Sequence, residues 1–317
     1  MSTPASPHVA SAPGKVILFG EHAVVYGQPA IAVPVTQVQA TATVEPAPPG
    51  SGLMLVASDL ETNALLVTAP PDEPLAAAAR LTLAHLSAPE PDATLTVSSA
   101  IPIARGLGSG TAVSTALARA LASFLGHPLE PAEVSALVFE VEKIHHGTPS
   151  GIDNTVVAYA QPVYFVRGHP VERLTVRTSF TLLIGDTGTR GPTRQVVERV
   201  RQGWKRSPAH YDALFDQIGD IVTEARRAIK AGDVDALGPL MDDNHALLIE
   251  LKVSSAKLNR LVEAARFAGA LGAKLSGAGR GGNMVALVEE PCIEEVAEAL
   301  REAGAVRVIR TTIPTTD

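Results

Sequence analysis

The stretch Pro102-Ile-Ala-Arg-Gly-Leu-Gly-Ser-Gly-Thr-Ala112 decides how the rest of the chain is interpreted. The alternating residues 93–97 before it predict a strand, and the Ala- and Leu-rich residues 109–125 after it predict a helix. Its glycines therefore lie in a turn that enters a helix N-terminus, where free backbone N–H groups and the helix dipole suit a phosphate. A tight connection would use the same residues, so the stretch alone leaves both interpretations open.

The composition is that of a globular chain. A length of 317 residues predicts two domains, and a hydrophobic content of 46% with 4% aromatic residues predicts an aliphatic core. The net charge of −7 argues against a nucleic-acid partner. Cys292 is the sole cysteine, which excludes an intrachain disulfide and a cysteine metal cluster. Without a signal peptide or an apolar run of membrane-spanning length, we expect a cytoplasmic protein with no membrane partner.

The first half of the chain predicts mainly strands. Residues 9–20 predict a strand interrupted at Pro13-Gly14, because this pair usually marks a turn. Residues 29–35 and the alternating residues 38–44 predict two further strands. The remaining segments predicted here are strands over 53–56, 163–166, 174–176 and 180–184 and helices over 74–86, 131–145 and 153–160.

The second half predicts successive helices followed by a small sheet. Helices are predicted over 193–204, 209–230, 234–251 and 255–268, and then come strand 273–275, a glycine-rich turn, strand 284–288, helix 294–303 and strand 306–312. This order indicates an antiparallel or mixed sheet with helices on one face, hence an α+β fold. We expect a boundary near residues 170–190, giving domains 1–180 and 181–317.

Several common motifs are absent or out of context. No G-x-x-x-x-G-K-[ST] occurs, and the pattern Gly277-x-Gly279-x-x-Gly282 precedes a strand, so neither a P-loop nor a dinucleotide fold is predicted. Ser109 has Leu107 where a nucleophile elbow needs a glycine, so a serine hydrolase is not predicted. The neighbours His145 and His146 cannot share one helix face, which argues against a zinc pair.

Lys15 is the first candidate functional residue. It follows Pro13-Gly14 and precedes the polar group Gly20-Glu-His22 within an otherwise apolar segment. A lysine at a strand end usually extends its head into water. The functional alternative is a cation directed at a phosphate or at a developing charge.

Glu142 and Asp153 lie on either side of a turn-rich segment, His146-Gly-Thr-Pro-Ser-Gly151. Glu142 is either an exposed partner of His145 or His146, or a carboxylate ligand of Mg²⁺ beside nucleotide phosphates. Asp153 is either the N-cap of the following helix or a carboxylate that accepts a substrate hydroxyl proton. Spacing alone favours the structural role for each.

The segment Lys274-Leu-Ser-Gly-Ala-Gly-Arg-Gly-Gly-Asn283 has more glycine than a hairpin turn needs. Such a run indicates backbone packed close to a ligand or to another loop. Glycine-rich turns together with a Lys, a Glu and an Asp are the components of phosphoryl transfer.

Three blocks, residues 13–27, 102–112 and 274–283, resemble in this order the signature motifs of the GHMP small-molecule kinases. Residues 20–27 and 146–154 further resemble members that phosphorylate mevalonate. The resemblance implies a GHMP kinase fold, with a ribosomal S5-like N-terminal domain that binds ATP and a ferredoxin-like C-terminal domain. This fold agrees with the α+β prediction.

The implied reaction is ATP- and Mg²⁺-dependent phosphorylation of the C5 hydroxyl of (R)-mevalonate, in the mevalonate route to isoprenoids. The oligomeric state stays open at this point, with a homodimer as one alternative. By resemblance Asp153 is the catalytic base, Lys15 stabilises charge, and Glu142 and Ser109 hold Mg²⁺. The implied nucleotide-binding residues are Ser99, Pro102, Ala104, Arg105, Gly106, Leu107, Gly108, Ser109, Gly110, Thr111 and Ala112. The implied substrate residues are Lys15, Glu21, His22, Ser150, Asp153, Thr193, Gly277 and Ala278.

Two positions depart from the family pattern. Gly110 stands where the family usually has a metal-binding serine, so Ser109 or Thr111 replaces it, or Glu142, phosphates and water hold the metal. Arg280 interrupts the usual glycine run, where it contacts a phosphate or carboxylate or extends into solvent.

The departures leave two alternatives open. One is a GHMP kinase for a related substrate, phosphomevalonate or the 3-hydroxyl of mevalonate. The other is a catalytically impaired GHMP-fold ligand sensor, against which the retention of Lys15, Glu142 and Asp153 argues.

Overall fold

The computed structural model describes residues 7–102, 106–146, 149–189, 191 and 193–316, without the side chains of residues 145 and 146. The described residues form two compact units. The first unit contains those within 7–14, 38–102 and 108–160, and the second contains those within 15–37, 106–107 and 161–316. The units alternate along the sequence, and the predicted division at residue 180 stays a prediction.

The described strands and helices follow in chain order. The strands are β1 His8–Phe19, β2 Ala30–Pro46, β3 Leu53–Ala57, β4 Thr62–Leu65, β5 Ala93–Ser99, β6 Val163–Phe165, β7 Glu172–Arg173, β8 Phe180–Asp186, β9 Gly272–Ser276, β10 Asn283–Val288 and β11 Arg307–Ile313. The helices are α1 Pro74–His85, α2 Ser109–Phe124, α3 Pro131–His146, α4 Ile152–Tyr159, α5 Thr193–Arg206, α6 Pro208–Ala231, α7 Leu237–Glu250, α8 Ala256–Phe267 and α9 Ile293–Glu302. A short 3₁₀ helix spans Ala23–Tyr26.

The first unit joins a sheet to a group of small-residue helices. β5 pairs antiparallel with residues 40–46 of β2 and parallel with β3, which in turn pairs with β4. Alternate residues of β3 and β5 are buried, as expected where one face of a sheet meets the core. Helices α1 to α4 contact one another, and the alanines of α1 and α2 allow their backbones to approach closely.

The second unit is built on an antiparallel sheet in the order β11-β8-β10-β9. Every residue of β8, β9 and β10 is buried, because α7, α8 and α9 cover these strands. Residues 30–32 of β2 pair with β6, which also pairs with β7. This architecture confirms the predicted α+β class.

Three predicted strand features are wrong. β1 is continuous through Pro13-Gly14, because a proline is tolerated where its missing N–H needs no ladder partner. The strands predicted over 29–35 and 38–44 form the single strand β2. Residues 174–176 are not a strand: Leu174 and Val176 are buried, and the Val176 N–H donates to the Thr316 hydroxyl at 2.8 Å.

The other predicted elements are confirmed, with ends that differ by one or two residues in most of them. Within the described part of the chain, no helix combines the length and the apolar character needed to cross a membrane.

Candidate active site

The helix that follows the glycine-rich stretch begins with an open N-terminus. Gly108 precedes α2 with φ 74°, in the left-handed region, and provides no capping side chain. Leu107 is fully buried, whereas Gly110 has open space where a Cβ would stand. Since a glycine cannot cap the first-turn N–H groups with a side chain, a phosphate can reach them.

A hydroxyl and a carboxylate meet between α2 and α3. Thr111 Oγ1 donates to Glu142 Oε1 at 2.9 Å, and their side chains are 3% and 8% exposed. The alternative of an exposed Glu142 is therefore wrong. The side chains of His145 and His146, its suggested partners, lie outside the described residues. Ser109, predicted as a metal ligand, is half-buried in the same first turn of α2.

Asp153 lies in the first turn of α4, and the start of this helix is fixed to α3. The N-cap is Gly151, with φ 95°, so the interpretation of Asp153 as N-cap is wrong. Asn154 Nδ2 donates to the Ser135 carbonyl at 3.0 Å, and Ser150 Oγ accepts from the Ile152 N–H at 3.4 Å. A carboxylate in a first helical turn is stabilised by the helix dipole.

Lys15 is buried in β1, in the second unit. Its side chain is 3% exposed, so the alternative of a head group in bulk water is wrong. Its backbone N–H donates to the Leu107 carbonyl at 2.9 Å. The first block of the resemblance therefore contacts the part of the glycine-rich stretch that belongs to the same unit.

The carboxylate of Glu21 forms a buried ion pair with Lys274 in β9. Lys274 Nζ also donates to the Leu275 carbonyl at 2.8 Å. Burial raises the pKa of Glu21 and lowers the pKa of Lys274, and the opposite charge of each partner counteracts both shifts. Sequence analysis assigned no role to Lys274. A lysine inside an otherwise apolar strand is the signal that could have indicated a buried partner.

His22 is held in its neutral form. Its Nε2–H donates to the Ala278 carbonyl at 3.0 Å, and burial lowers its pKa to about 4. The residue has φ 63° and ψ −48°, and a positive φ is uncommon for residues other than glycine. The bond to Ala278 joins two of the predicted substrate residues.

Ser276 joins β1 to β9, and it is the second contact that sequence analysis missed. Its hydroxyl accepts from the Ile17 N–H at 3.1 Å and donates to the Ile17 carbonyl at 2.9 Å. One side chain therefore satisfies both backbone groups of a buried strand residue.

The glycine-rich turn after β9 packs against other loops. A Cβ on Gly279 would lie 2.1 Å from the Val253 carbonyl oxygen, and the Thr187 hydroxyl donates to the Gly282 carbonyl at 2.8 Å. Of the two explanations offered for this glycine run, close packing against another loop is confirmed.

The remaining predicted site residues make few contacts that bear on their predicted roles. Ser99 Oγ accepts from the Ile101 N–H at 3.2 Å, Pro102 is half-buried, and Thr193 is exposed at the start of α5. Ala104 and Arg105 lie outside the described residues. The side chain of Arg280 is exposed. Among the residues that the structure describes, no group of three or more His, Cys, Asp or Glu side chains could hold a metal ion.

Comparison with known proteins identifies the class. The model of the GHMP kinases N terminal domain matches residues 74–161, and that of the GHMP kinases C terminal domain matches residues 225–306. The mevalonate kinases of Thermococcus sibiricus and Pyrococcus furiosus are each 36% identical to this chain, with 95% of both chains covered. A crystal structure of L. major mevalonate kinase in complex with R-mevalonate matches 100% of this chain and 99% of its own, with a TM-score of 0.85 and 29% identity.

The chain therefore belongs to the GHMP kinases and, within them, to the mevalonate kinase family. This membership confirms the resemblance drawn from the three sequence blocks. It also confirms that the chain is an enzyme, a small-molecule kinase with the GHMP fold.

Proposed function

We propose that this enzyme transfers the γ-phosphoryl group of ATP to the C5 hydroxyl of (R)-mevalonate, giving (R)-5-phosphomevalonate and ADP. The observation that carries the proposal is the 36% identity over 95% of the chain to mevalonate kinases. The related structure holding R-mevalonate supports the same substrate.

Asp153 is proposed as the catalytic base. As the C5 oxygen bonds to the γ-phosphorus, the bond from that phosphorus to the β–γ bridging oxygen breaks, ADP leaves, and the hydroxyl proton passes to the Asp153 carboxylate. The bonds that fasten the start of α4 to α3 support this role, because a base must be held within hydrogen-bond reach of its proton.

Lys15, His22, Gly277 and Ala278 are proposed to bind mevalonate. The buried ammonium of Lys15 would stabilise negative charge on the attacking oxygen. Glu21 forms an ion pair with Lys274. We therefore propose that Glu21 positions its neighbour His22 and does not itself bind mevalonate. Ser150 and Thr193 are proposed to contribute hydroxyls to mevalonate or to the transferred group.

The nucleotide phosphates are proposed to bind at the N-terminus of α2, along the stretch 102–112 and Ser99. The buried hydroxyl–carboxylate pair of Thr111 and Glu142 fits Mg²⁺, which prefers hard oxygen ligands and keeps several waters and phosphate oxygens. When bound there, Mg²⁺ would neutralise charge on the phosphates. Thr111 is thus a stronger candidate than Ser109 for the hydroxyl that replaces the missing side chain at Gly110.

The test is an ADP-release assay on the purified enzyme with MgATP and (R)-mevalonate. We expect ADP release only when mevalonate is present, and a kcat at least about 10²-fold lower in Asp153→Asn. Nucleotide binding by the variant should be unchanged. Asp72→Asn, at an exposed position of the same unit, is the matched control and should keep full activity.

A substrate panel separates the alternatives. Turnover of phosphomevalonate without turnover of mevalonate, or a product phosphorylated at the 3-hydroxyl by NMR, would replace the proposed substrate. ATP binding without turnover of any alcohol in the panel would favour the ligand sensor.

A further inference from the structure

A concave region lies in the second unit. It is a cavity of about 360 Å³, and ligand pockets start at roughly 300 Å³. The predicted catalytic, nucleotide-binding, substrate and metal residues do not line it. Its described lining residues come from α5, from the start of α6 and from the segments that follow α7 and β9: Val196, Arg199, Val200, Gly203, Arg206, Tyr211, Leu251, Lys252, Val253 and Arg280.

The floor of the cavity is apolar. The side chains of Val196, Val200, Leu251 and Val253 are all at most 3% exposed. On one side of the cavity the Tyr211 phenol packs directly against Gly203, since a Cβ there would lie 2.1 Å from the Tyr211 hydroxyl oxygen. A glycine inside a helix costs about 1 kcal/mol relative to alanine, and here its small size lets a phenol lie against the helix backbone.

The rim of the cavity is cationic. Arg199, Arg206, Lys252 and Arg280 are exposed and line the same space. No ion pair joins any of them to a carboxylate in the described part of the chain. Like charges around one opening repel one another, and an anion bound among them would relieve that repulsion.

Two of these cations have a left-handed backbone. Lys252 has φ 61° and Arg280 has φ 53°, a conformation that disfavours residues with a Cβ. The Arg280 N–H donates to the Val253 carbonyl at 2.8 Å, and its Nε donates to the Lys252 carbonyl at 3.2 Å. These contacts hold the Arg280 guanidinium and the backbone of Lys252 at the rim, and strained residues of this kind concentrate at ligand sites.

We propose that this cavity binds an organic phosphate with a short apolar body. The apolar floor requires a hydrocarbon part, which inorganic phosphate lacks. The arginines favour a phosphate over a carboxylate, because a guanidinium binds phosphate oxygens in pairs and a phosphate carries more charge. The site is independent of the proposed kinase reaction, because it shares none of the residues to which that reaction assigns a role.

The test uses octyl phosphate as the probe and the full-length enzyme, with a non-hydrolysable ATP analogue and mevalonate present at saturation to occupy the active site. Trp204 is the sole tryptophan and follows Gly203, which lines the cavity, so its fluorescence is recorded as a first signal of binding. Isothermal titration calorimetry gives the affinity independently of that signal. We expect saturable binding of octyl phosphate, with octanoate, octanol and inorganic phosphate each binding about tenfold more weakly or less.

Paired variants on α5 assign the binding to the cavity. Arg199→Gln/Arg206→Gln should weaken octyl phosphate binding about tenfold or more. Arg201→Gln/Lys205→Gln removes the same charge from the same helix outside the cavity lining and should bind as the parent does. Arg280→Gly should also weaken binding. Absence of binding by calorimetry, equal affinity in the two double variants, or displacement of the probe by the ATP analogue would each overturn the proposal.

Discussion

Glu21 and Lys274 form an ion pair in which the residues are 1% and 0% exposed. Because both charges are buried, the effect of removing one of them on the free energy of unfolding can be estimated. A buried charge left without its partner costs about 3–5 kcal/mol, whereas replacing both charges with apolar side chains of similar volume is often neutral. We therefore expect Lys274→Met and Glu21→Leu each to lower the free energy of unfolding by about 3–5 kcal/mol. The double variant should lose much less than the sum.

A double-mutant cycle by urea denaturation measures this coupling. Lys230→Met is the control for the loss of one positive charge. The Lys230 side chain is 47% exposed, so this variant should change stability little. Additive losses in the double variant would mean that the two side chains do not act as a pair.

The start of helix α2 carries the clearest departure of this chain from the family pattern, Gly110 in place of a serine. Gly110 is exposed in the first turn, its φ is ordinary, and apart from its own helix and chain neighbours no atom lies within 4 Å of an ideal Cβ. Gly110→Ser should therefore fold without strain and stabilise the helix by up to about 1 kcal/mol, because glycine is a weak helix former. The added hydroxyl should also lower the Mg²⁺ concentration needed for half-maximal activity, without changing substrate choice.

Gly110→Ala separates the two effects. It should reproduce the gain in thermal stability and leave the magnesium titration of the parent unchanged. A magnesium titration that is the same in Gly110→Ser as in Gly110→Ala would indicate that the Thr111 and Glu142 pair already supplies the ligands.

The elements themselves were largely predictable, because helical spacing and alternation are local properties. Helix α2 begins at Ser109 as predicted, and the helices of the second half follow their apolar periodicity. The break predicted in β1 was wrong because Pro13-Gly14 was judged without knowing which N–H groups need partners. Contacts between distant residues could not be predicted in this way. Glu21 and Lys274 are 253 residues apart, and no local pattern specifies such a pair.

For the whole molecule, two buried imidazoles connect the stability of the second unit to pH. Burial lowers the pKa of both His22 and His245 to about 4, and the ordinary value is 6.5. His245 Nδ1 accepts from the Leu275 N–H at 3.3 Å, a bond that a protonated ring cannot accept. Each ring is therefore neutral in the folded protein at pH 7, and both contact β9 or the turn that follows it.

The sign of the effect follows from proton binding. Between about pH 6.5 and 4 the unfolded chain protonates these histidines and the folded chain does not, so stability is greatest above this window and falls as the pH drops through it. Each histidine contributes up to about 1.4 kcal/mol per pH unit, or roughly 3 kcal/mol across the window. The raised pKa of Glu21 acts in the opposite direction, so the histidine contribution must be measured by difference.

We expect His245→Gln to reduce the loss of stability between pH 7 and pH 5 by about 2 kcal/mol relative to the parent, because that ring no longer takes up a proton on unfolding. His22→Gln should do the same. Urea denaturation followed by Trp204 fluorescence reports on the unit that holds both histidines. His210→Gln, at an exposed position, is the control and should keep the pH slope of the parent. If both His22→Gln and His245→Gln lose stability with falling pH as steeply as the parent does, the acid sensitivity comes from other groups. These two variants remove the imidazoles that the prediction makes responsible for it.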